Sequence, residues 1–155
     1  YDTGAGDEWT ECDYTLDYTV PLGFLDKKLE KLSASVGYTY YTFPNLDTDE
    51  TSQEVYLGIA LDVLLSPAFT FYYDFDTGDG TYLEGAISHT FEFNSFSISP
   101  SVTVGYNSGQ WGYDSSWSSA LFGLNVSVPL GEYCTAGLTA AESAALDSQY
   151  ENEFY

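Results

Sequence analysis

Segment after segment of this chain places large apolar side chains at every second position, and this pattern narrows the fold more than any other feature. A period of two belongs to a strand with two unlike faces. Between residues 54 and 63, Val55, Leu57, Ile59, Leu61 and Val63 share one face, whereas Glu54, Tyr56, Gly58, Ala60 and Asp62 share the other. The same apolar half recurs as Tyr14, Leu16, Tyr18 and Val20, as Leu32, Ala34, Val36, Tyr38 and Tyr40, and as Phe69, Phe71, Tyr73 and Phe75. Leu83, Ile87, Phe91 and Phe93, then Phe96, Ile98, Val102, Val104 and Tyr106, then Ala120, Phe122, Leu124, Val126 and Val128 continue it.

The chain therefore reads as all-β, with eight strands at about residues 9–20, 31–43, 54–64, 68–76, 81–93, 96–107, 116–129 and 133–139. Nothing repeats with the fixed period of a solenoid or propeller. One domain, 1–155, accommodates this length. A start at Tyr1, the absence of Met and the lack of a basic-then-apolar leader point to a processed or partial chain, incomplete at both ends.

The second face is small and polar: Ser33, Ser35, Gly37 and Thr39 in one strand, Ser97, Ser99, Ser101, Thr103 and Gly105 in another. A soluble sandwich or lipocalin turns its large apolar residues inward and covers its outside with mixed charge. Here the polar face has almost no Lys or Arg. A transmembrane barrel has an apolar outer band, aromatic girdles and a polar lumen, and the small polar face suits a lumen better. The expected fold is an antiparallel up-and-down transmembrane β-barrel, with a soluble all-β domain as the alternative.

Charge excludes other classes. With 24 acidic residues against 3 lysines, the formal charge is -21, and Lys27, Lys28 and Lys31 lie in one turn. Nucleic acids are gripped by clustered bases, so none is expected as a partner. A content of 18% aromatic residues excludes simple acidic disorder. No apolar run approaches the roughly 20 residues of a membrane helix.

Connections alternate between two ends of the sheet, A and B. End A has the lysine turn at residues 26–31, Ser66 and Pro67, Asn94 and Ser95, and residues 130–132; most are short. End B has residues 44–53, 76–80 and 107–115, longer on average, with Asp47, Asp49, Glu50, Asp76, Asp79 and Asp114 and no base. Outer-membrane barrels have short periplasmic turns and longer outer loops, which makes end B extracellular. The first strand then descends from an outer loop at residues 1–8, and the eighth climbs into another at residues 140–152, so parity asks for at least ten strands, with twelve equally acceptable. The alternative is a complete eight-stranded barrel of inverted orientation, with residues 140–155 as a periplasmic tail in which Thr139 and Glu142 have capping-box spacing.

The segment QEVYLGIALDVLLSPAFTFYYDFDTGDGTYLEGAISHTFEF, residues 53–93, resembles an uncharacterised family of putative porins from Gram-negative outer membranes, and the likeness extends less sharply from Asp13 to about Leu130. The resemblance implies a barrel of about a dozen strands, in which a segment similar to ENEFY, residues 151–155, precedes a final strand ending in an aromatic residue. That strand is absent here. The matching motifs are strand and turn patterns, so the resemblance implies no catalytic residues.

The polar face collects Asp13, Asp17, Glu54, Asp62, Asp74, Glu84 and Glu92 without a facing base. Carboxylates in a pore favour cations; the same residues also suit a merely solvated wall. Tyr38, Tyr40, Tyr73, Phe75, Tyr106 and Trp117 are placed for an aromatic girdle near the outer interface. Asp74 to Glu84 lacks EF-hand spacing, and an Asp-Gly hairpin explains it better. The expectation is no cofactor or specific metal site, with weak divalent-cation binding by the outer loops at most. Cys12 and Cys134 fall at opposite ends of the sheet, too far apart for a bridge within one chain. His89, the single histidine, falls on the apolar register near end A. One histidine, no GxSxG and no placed nucleophile argue against an enzyme.

The function expected from the sequence is passive, cation-preferring diffusion of small cationic or neutral solutes through a bacterial outer-membrane barrel, with the lipid bilayer and further copies of the chain as partners. The rival is a structural or adhesive envelope protein that assembles through its sheet edges, and a soluble acidic binding domain is a third reading.

Overall fold

The computed structural model describes residues 11–44, 51–131 and 134–150, together with the backbone of 153–154. Strands β1 (Cys12–Pro21), β2 (Leu32–Thr42), β3 (Thr51–Leu61), β4 (Ala68–Asp74), β5 (Gly80–Ser88), β6 (Phe91–Glu92), β7 (Ser97–Ser108), β8 (Ser116–Pro129), β9 (Thr135–Ala145) and β10 (Glu153–Phe154) form one antiparallel sheet. Eight of them are long and curl into a half-barrel. Each pairs with its neighbours in chain order, and β1 and β10 are the edges among the described residues.

Register confirms the two faces. Leu16 lies opposite Tyr38, Val36 opposite Leu57, Leu57 opposite Phe71, Leu83 opposite Tyr106 and Val102 opposite Phe122. Nothing among the described residues covers this apolar face, where Leu16 is 74% exposed, Leu57 62% and Phe122 52%. Burial falls instead on polar groups, including Thr39, Ser52, Glu54, Asp74 and Asn107, and Ala120 is the sole buried apolar residue described. Among the described residues the large apolar side chains are thus exposed and the buried ones are mostly polar.

The polar face is the concave one, because its side chains reach across intervening strands. From β3, the Tyr56 hydroxyl passes over Gly37 of β2 and donates to Asp17 Oδ2 on β1 at 2.8 Å. From β5, Tyr82 passes over Gly105 of β7 and meets Ser118 Oγ on β8 at 2.8 Å. A Cβ at either glycine would overlap the tyrosine, so the missing side chain is what lets the ring lie flat against the sheet.

Several boundaries differ from the sequence expectation. Residues 81–93 are two strands, β5 and β6, in one unbroken register against β7. Pro100 lies in the β7 position facing His89 and has no N–H to give, so the ladder there is reduced to His89 N–H donating to the Pro100 carbonyl at 3.2 Å. The eighth long strand, expected at 133–139, continues to Ala145 and pairs with β8 as far as Ser119. Residues 140–145 are therefore strand, neither loop nor capped helix: the β8 partners supply ladder bonds that an isolated helical turn would lack. β3 begins at Thr51 and ends at Leu61, which shortens the end B connection before it.

Gly105→Ala should displace the Tyr82 hydroxyl and destabilise the fold by about 1–3 kcal/mol. In a Tyr82→Phe background the loss should be smaller, a coupling readable from a double-mutant cycle on denaturant unfolding.

Candidate functional site

The concave face is built in rows of directly paired residues, and one row holds most of its bulk. Asp17, Gly37, Tyr56, Tyr72, Tyr82 and Asn107 follow one another across six strands. The tyrosine rings are neighbours, with centroids 5.4 Å apart for Tyr56–Tyr72 and 6.1 Å for Tyr72–Tyr82. Toward end A the rows contain small residues such as Ser33, Ala60, Ala68 and Ala86. The trough is thus narrowed by a rung of hydroxylated rings and lined by little else of comparable size.

Carboxylates occupy several levels rather than one ring. Glu54 and Asp74 are directly opposed on β3 and β4 toward end B, and Glu84 faces Thr70 and Gly105 within the trough. Asp13 and Asp17 are on the exposed edge strand. Asp62 lies just past β3, where its N–H donates to the Lys31 carbonyl at 2.7 Å, and Glu92 is exposed in β6, so both belong to the end A rim.

Asp74 is fully buried and anchors a turn. It accepts from Ser52 Oγ at 2.7 Å, from Asp76 N–H at 3.0 Å and from Gly78 N–H at 3.1 Å. Charge-assisted bonds of this kind hold a carboxylate in place of a counter-ion, which leaves Asp74 a structural group of the 75–79 turn. Glu54 accepts from Tyr41 Oη at 3.0 Å and from Gln110 Nε2 at 2.7 Å.

That glutamine belongs to a strap, residues 109–115, that crosses the trough at end B from β7 and β8 toward β2 and β3. Its short 3₁₀ turn (Gln110–Gly112) has left-handed backbone at Trp111 (φ 59°) and Gly112 (φ 74°), as does Gly109 just before it (φ 84°). Trp111 N–H donates to the Gly78 carbonyl at 2.7 Å, and its ring meets Phe43 and Tyr41 edge to face at 5.6 and 6.3 Å. Gly80 passes under Gln110 so closely that a Cβ there would collide with the strap backbone. On the far side, Gln149 clamps the strap through Asp114 N–H at 2.9 Å and the Asp114 carbonyl at 3.0 Å. The strap is thereby tied to both neighbouring end B loops.

The remaining sequence candidates fall as follows. Tyr38, Tyr40, Tyr73, Phe75, Tyr106 and Trp117 occupy the apolar face toward end B, with Tyr73–Phe75 centroids at 6.3 Å and Tyr106–Trp117 at 5.5 Å. Tyr38 Oη reaches Gln53 Oε1 at 3.0 Å, and Gln53 Nε2 reaches Asp76 Oδ2 at 3.0 Å, so this face turns polar at its rim. Asp76, Asp79 and Asp114 are exposed, whereas Asp47, Asp49 and Glu50 lie outside the described residues. Before β1, Glu11 has its carboxyl raised above the usual range, first by partial burial and then by the charge of Asp13. Among the described residues no group of His, Cys, Asp and Glu has metal-holding geometry. Both cysteines are free: Cys12 opens β1 at end B and Cys134 precedes β9 at end A. His89 lies on the apolar register near end A with its ring 4.7 Å from that of Phe91.

Two features escaped sequence reasoning. Tyr72 and Tyr82 follow the alternation onto the concave face, and extending the period to every tyrosine would have found them. The strap was not legible, because Gln110 and Glu54 are 56 residues apart and nothing local couples them.

Asp74→Ala should cost about 2–4 kcal/mol by leaving Ser52 and two N–H groups without their acceptor. Asp13→Ala on the exposed edge should stay within about 0.5 kcal/mol; denaturant midpoints of the folded chain compare the two.

No protein-family model, no curated protein and no solved structure matches the chain.

Proposed function

We propose that this chain forms wall and mouth of an outer-membrane β-barrel that lets small cationic and neutral solutes diffuse passively across a bacterial outer membrane. The observation that carries the reading is the inversion of the two faces: large apolar residues stay exposed on the convex side, while the concave side buries Ser, Thr, Asn and carboxylates. A bilayer is the solvent in which that arrangement is favourable. Strands β2, β3 and β9 have 11 residues each, the length that a tilted strand needs to cross the hydrocarbon core. Aromatic residues at the end B rim of the apolar face suit an interfacial belt.

In this reading end B faces outward and the lysine turn at end A faces the periplasm. Glu84 in the trough, with Glu54 and Asp74 toward the mouth, sets a negative potential along the path, which favours cations over anions without specific binding. The tyrosine row sets the local bore. In this reading solutes cross by diffusion.

A second reading has its own observation. Among the described residues β1 and β10 are the edges of the sheet, and unpaired edges are templates for further strands. A structural or adhesive envelope protein would use them, with the apolar face packed against other copies.

Reconstitution of the chain in a planar bilayer under a salt gradient separates the two. Stable steps whose reversal potential shows cation preference are expected, and Glu84→Gln should reduce that preference while leaving step frequency unchanged. Silence from a folded, heat-modifiable sample would sink the diffusion reading and favour the structural one; monomeric solubility without detergent would sink both membrane crossing and edge assembly.

A further inference from the structure

Between the strap and the ends of β2 and β3 lies a cavity of about 490 Å³, lined by Glu11, Tyr41, Phe43, Glu54, Gln110, Trp111 and Tyr113. Its walls combine aromatic rings with carboxylates and contain no base. Trp111 is 39% exposed and Tyr113 37% exposed, so ring surface remains open beside the Tyr41 and Phe43 contacts. Behind the rings, Glu54 is 5% exposed and opposes the fully buried Asp74. The neighbours bonded to these two carboxylates are neutral hydroxyl, amide and backbone N–H groups. All three lysines lie in or beside the end A turn that joins β1 to β2.

We propose that this cavity is a binding site for organic cations of the alkylammonium class. The rings present the negative face of their π-systems, which attracts a poorly hydrated cation and gives nothing comparable to an anion. Glu54 and Asp74 add negative charge from a partly desolvated layer, where screening is weak. Glu11 at the rim completes the acidic surround. A small hydrated metal ion would surrender more solvation than rings can replace, whereas a methylated or primary ammonium brings apolar surface that the rings cover. Trp111 holds its ring in place from a left-handed backbone position pinned by its N–H bond to Gly78; strained residues of this kind accumulate at ligand clamps.

The site does not depend on the sheet forming a pore, and its test uses no conductance. The full chain, folded in detergent micelles, is titrated calorimetrically with tetramethylammonium and separately with potassium and glucose at fixed ionic strength. Tetramethylammonium should bind saturably at one site, with potassium at least about tenfold weaker, in the range cation–π contacts supply. Trp111→Leu should weaken tetramethylammonium about tenfold and Trp111→Phe should restore most of the loss. Tyr113→Leu, on the exposed rim, should weaken it severalfold, and it keeps the question answerable if Trp111→Leu does not fold. Equal affinity for potassium and tetramethylammonium would overturn the proposal as bulk charge attraction. Glucose binding tighter than tetramethylammonium would overturn it in favour of a saccharide site, and unchanged affinity in the folded Trp111 and Tyr113 variants would overturn it outright.

Discussion

Two tyrosines lying across two glycines decide which way the sheet bends. Tyr56 needs Gly37 beneath it to reach Asp17, and Tyr82 needs Gly105 beneath it to reach Ser118. Each contact draws together strands that are not neighbours, which bends the sheet toward its polar side and turns the apolar side outward. Once that curvature is set, the polar side chains satisfy one another within the trough, as between Thr15 and Thr39 at 3.1 Å and Asn125 and Thr139 at 2.8 Å. Convexity spreads the apolar side chains apart, so they cover one another only in part. The scarcity of buried apolar side chains among the described residues therefore follows from the bend.

The end B mouth depends on a different constraint, the accommodation of carboxylates without bases. Asp74 is held by the Ser52 hydroxyl of β3 and by N–H donors of its own turn, and Glu54 by Tyr41 and the amide of Gln110; these neutral donors satisfy the oxygens and leave the charge in place. The second solution brings the strap over the trough, because Gln110 must cross two strands to reach Glu54. With Gln110 fixed, Trp111 falls between Tyr41 and Phe43, and the aromatic cavity is a by-product of satisfying one buried carboxylate. Electrostatic accommodation and the shape of the mouth are one problem here.

Alternation along the chain was enough to read the strands, their two faces and their up-and-down order, since a period of two depends on neighbours only. Trp117 shows where this local rule needs help. It is an odd-numbered residue on a face otherwise held by Ala120, Phe122 and Leu124, and the irregularity in the β7–β8 register between Val104 and Tyr106 is what returns it to that face opposite Tyr106. β9 runs past its expected end because Ala140 to Ala145 carries weak alternation and an Ala-rich composition that suits a helix, and pairing with β8 overrides that preference. Parity alone puts Asp74 in the trough wall. Its side-chain partners are on β3 and in its own turn, information that a one-dimensional pattern does not contain.

The edges constrain the membrane reading as tightly as the faces support it. A hydrocarbon core offers no hydrogen bonds to an unpaired strand, so a lipid-exposed edge is not tolerated. β1 has every feature of a strand meant to pair: Tyr14, Leu16 and Tyr18 lie 62%, 74% and 66% exposed on one face, and no Lys interrupts it. If the sheet lies in a bilayer, β1 and β10, the edges among the described residues, must therefore be paired, with each other or with other strands. Asp13 and Asp17 then pass from an edge into an interior, where a neighbouring strand must bring donors or bases to them just as Tyr56 already does for Asp17. The chemistry of the strand that completes β1 is thus specified in advance: apolar at one parity, and hydroxyl, amide or basic side chains at the other.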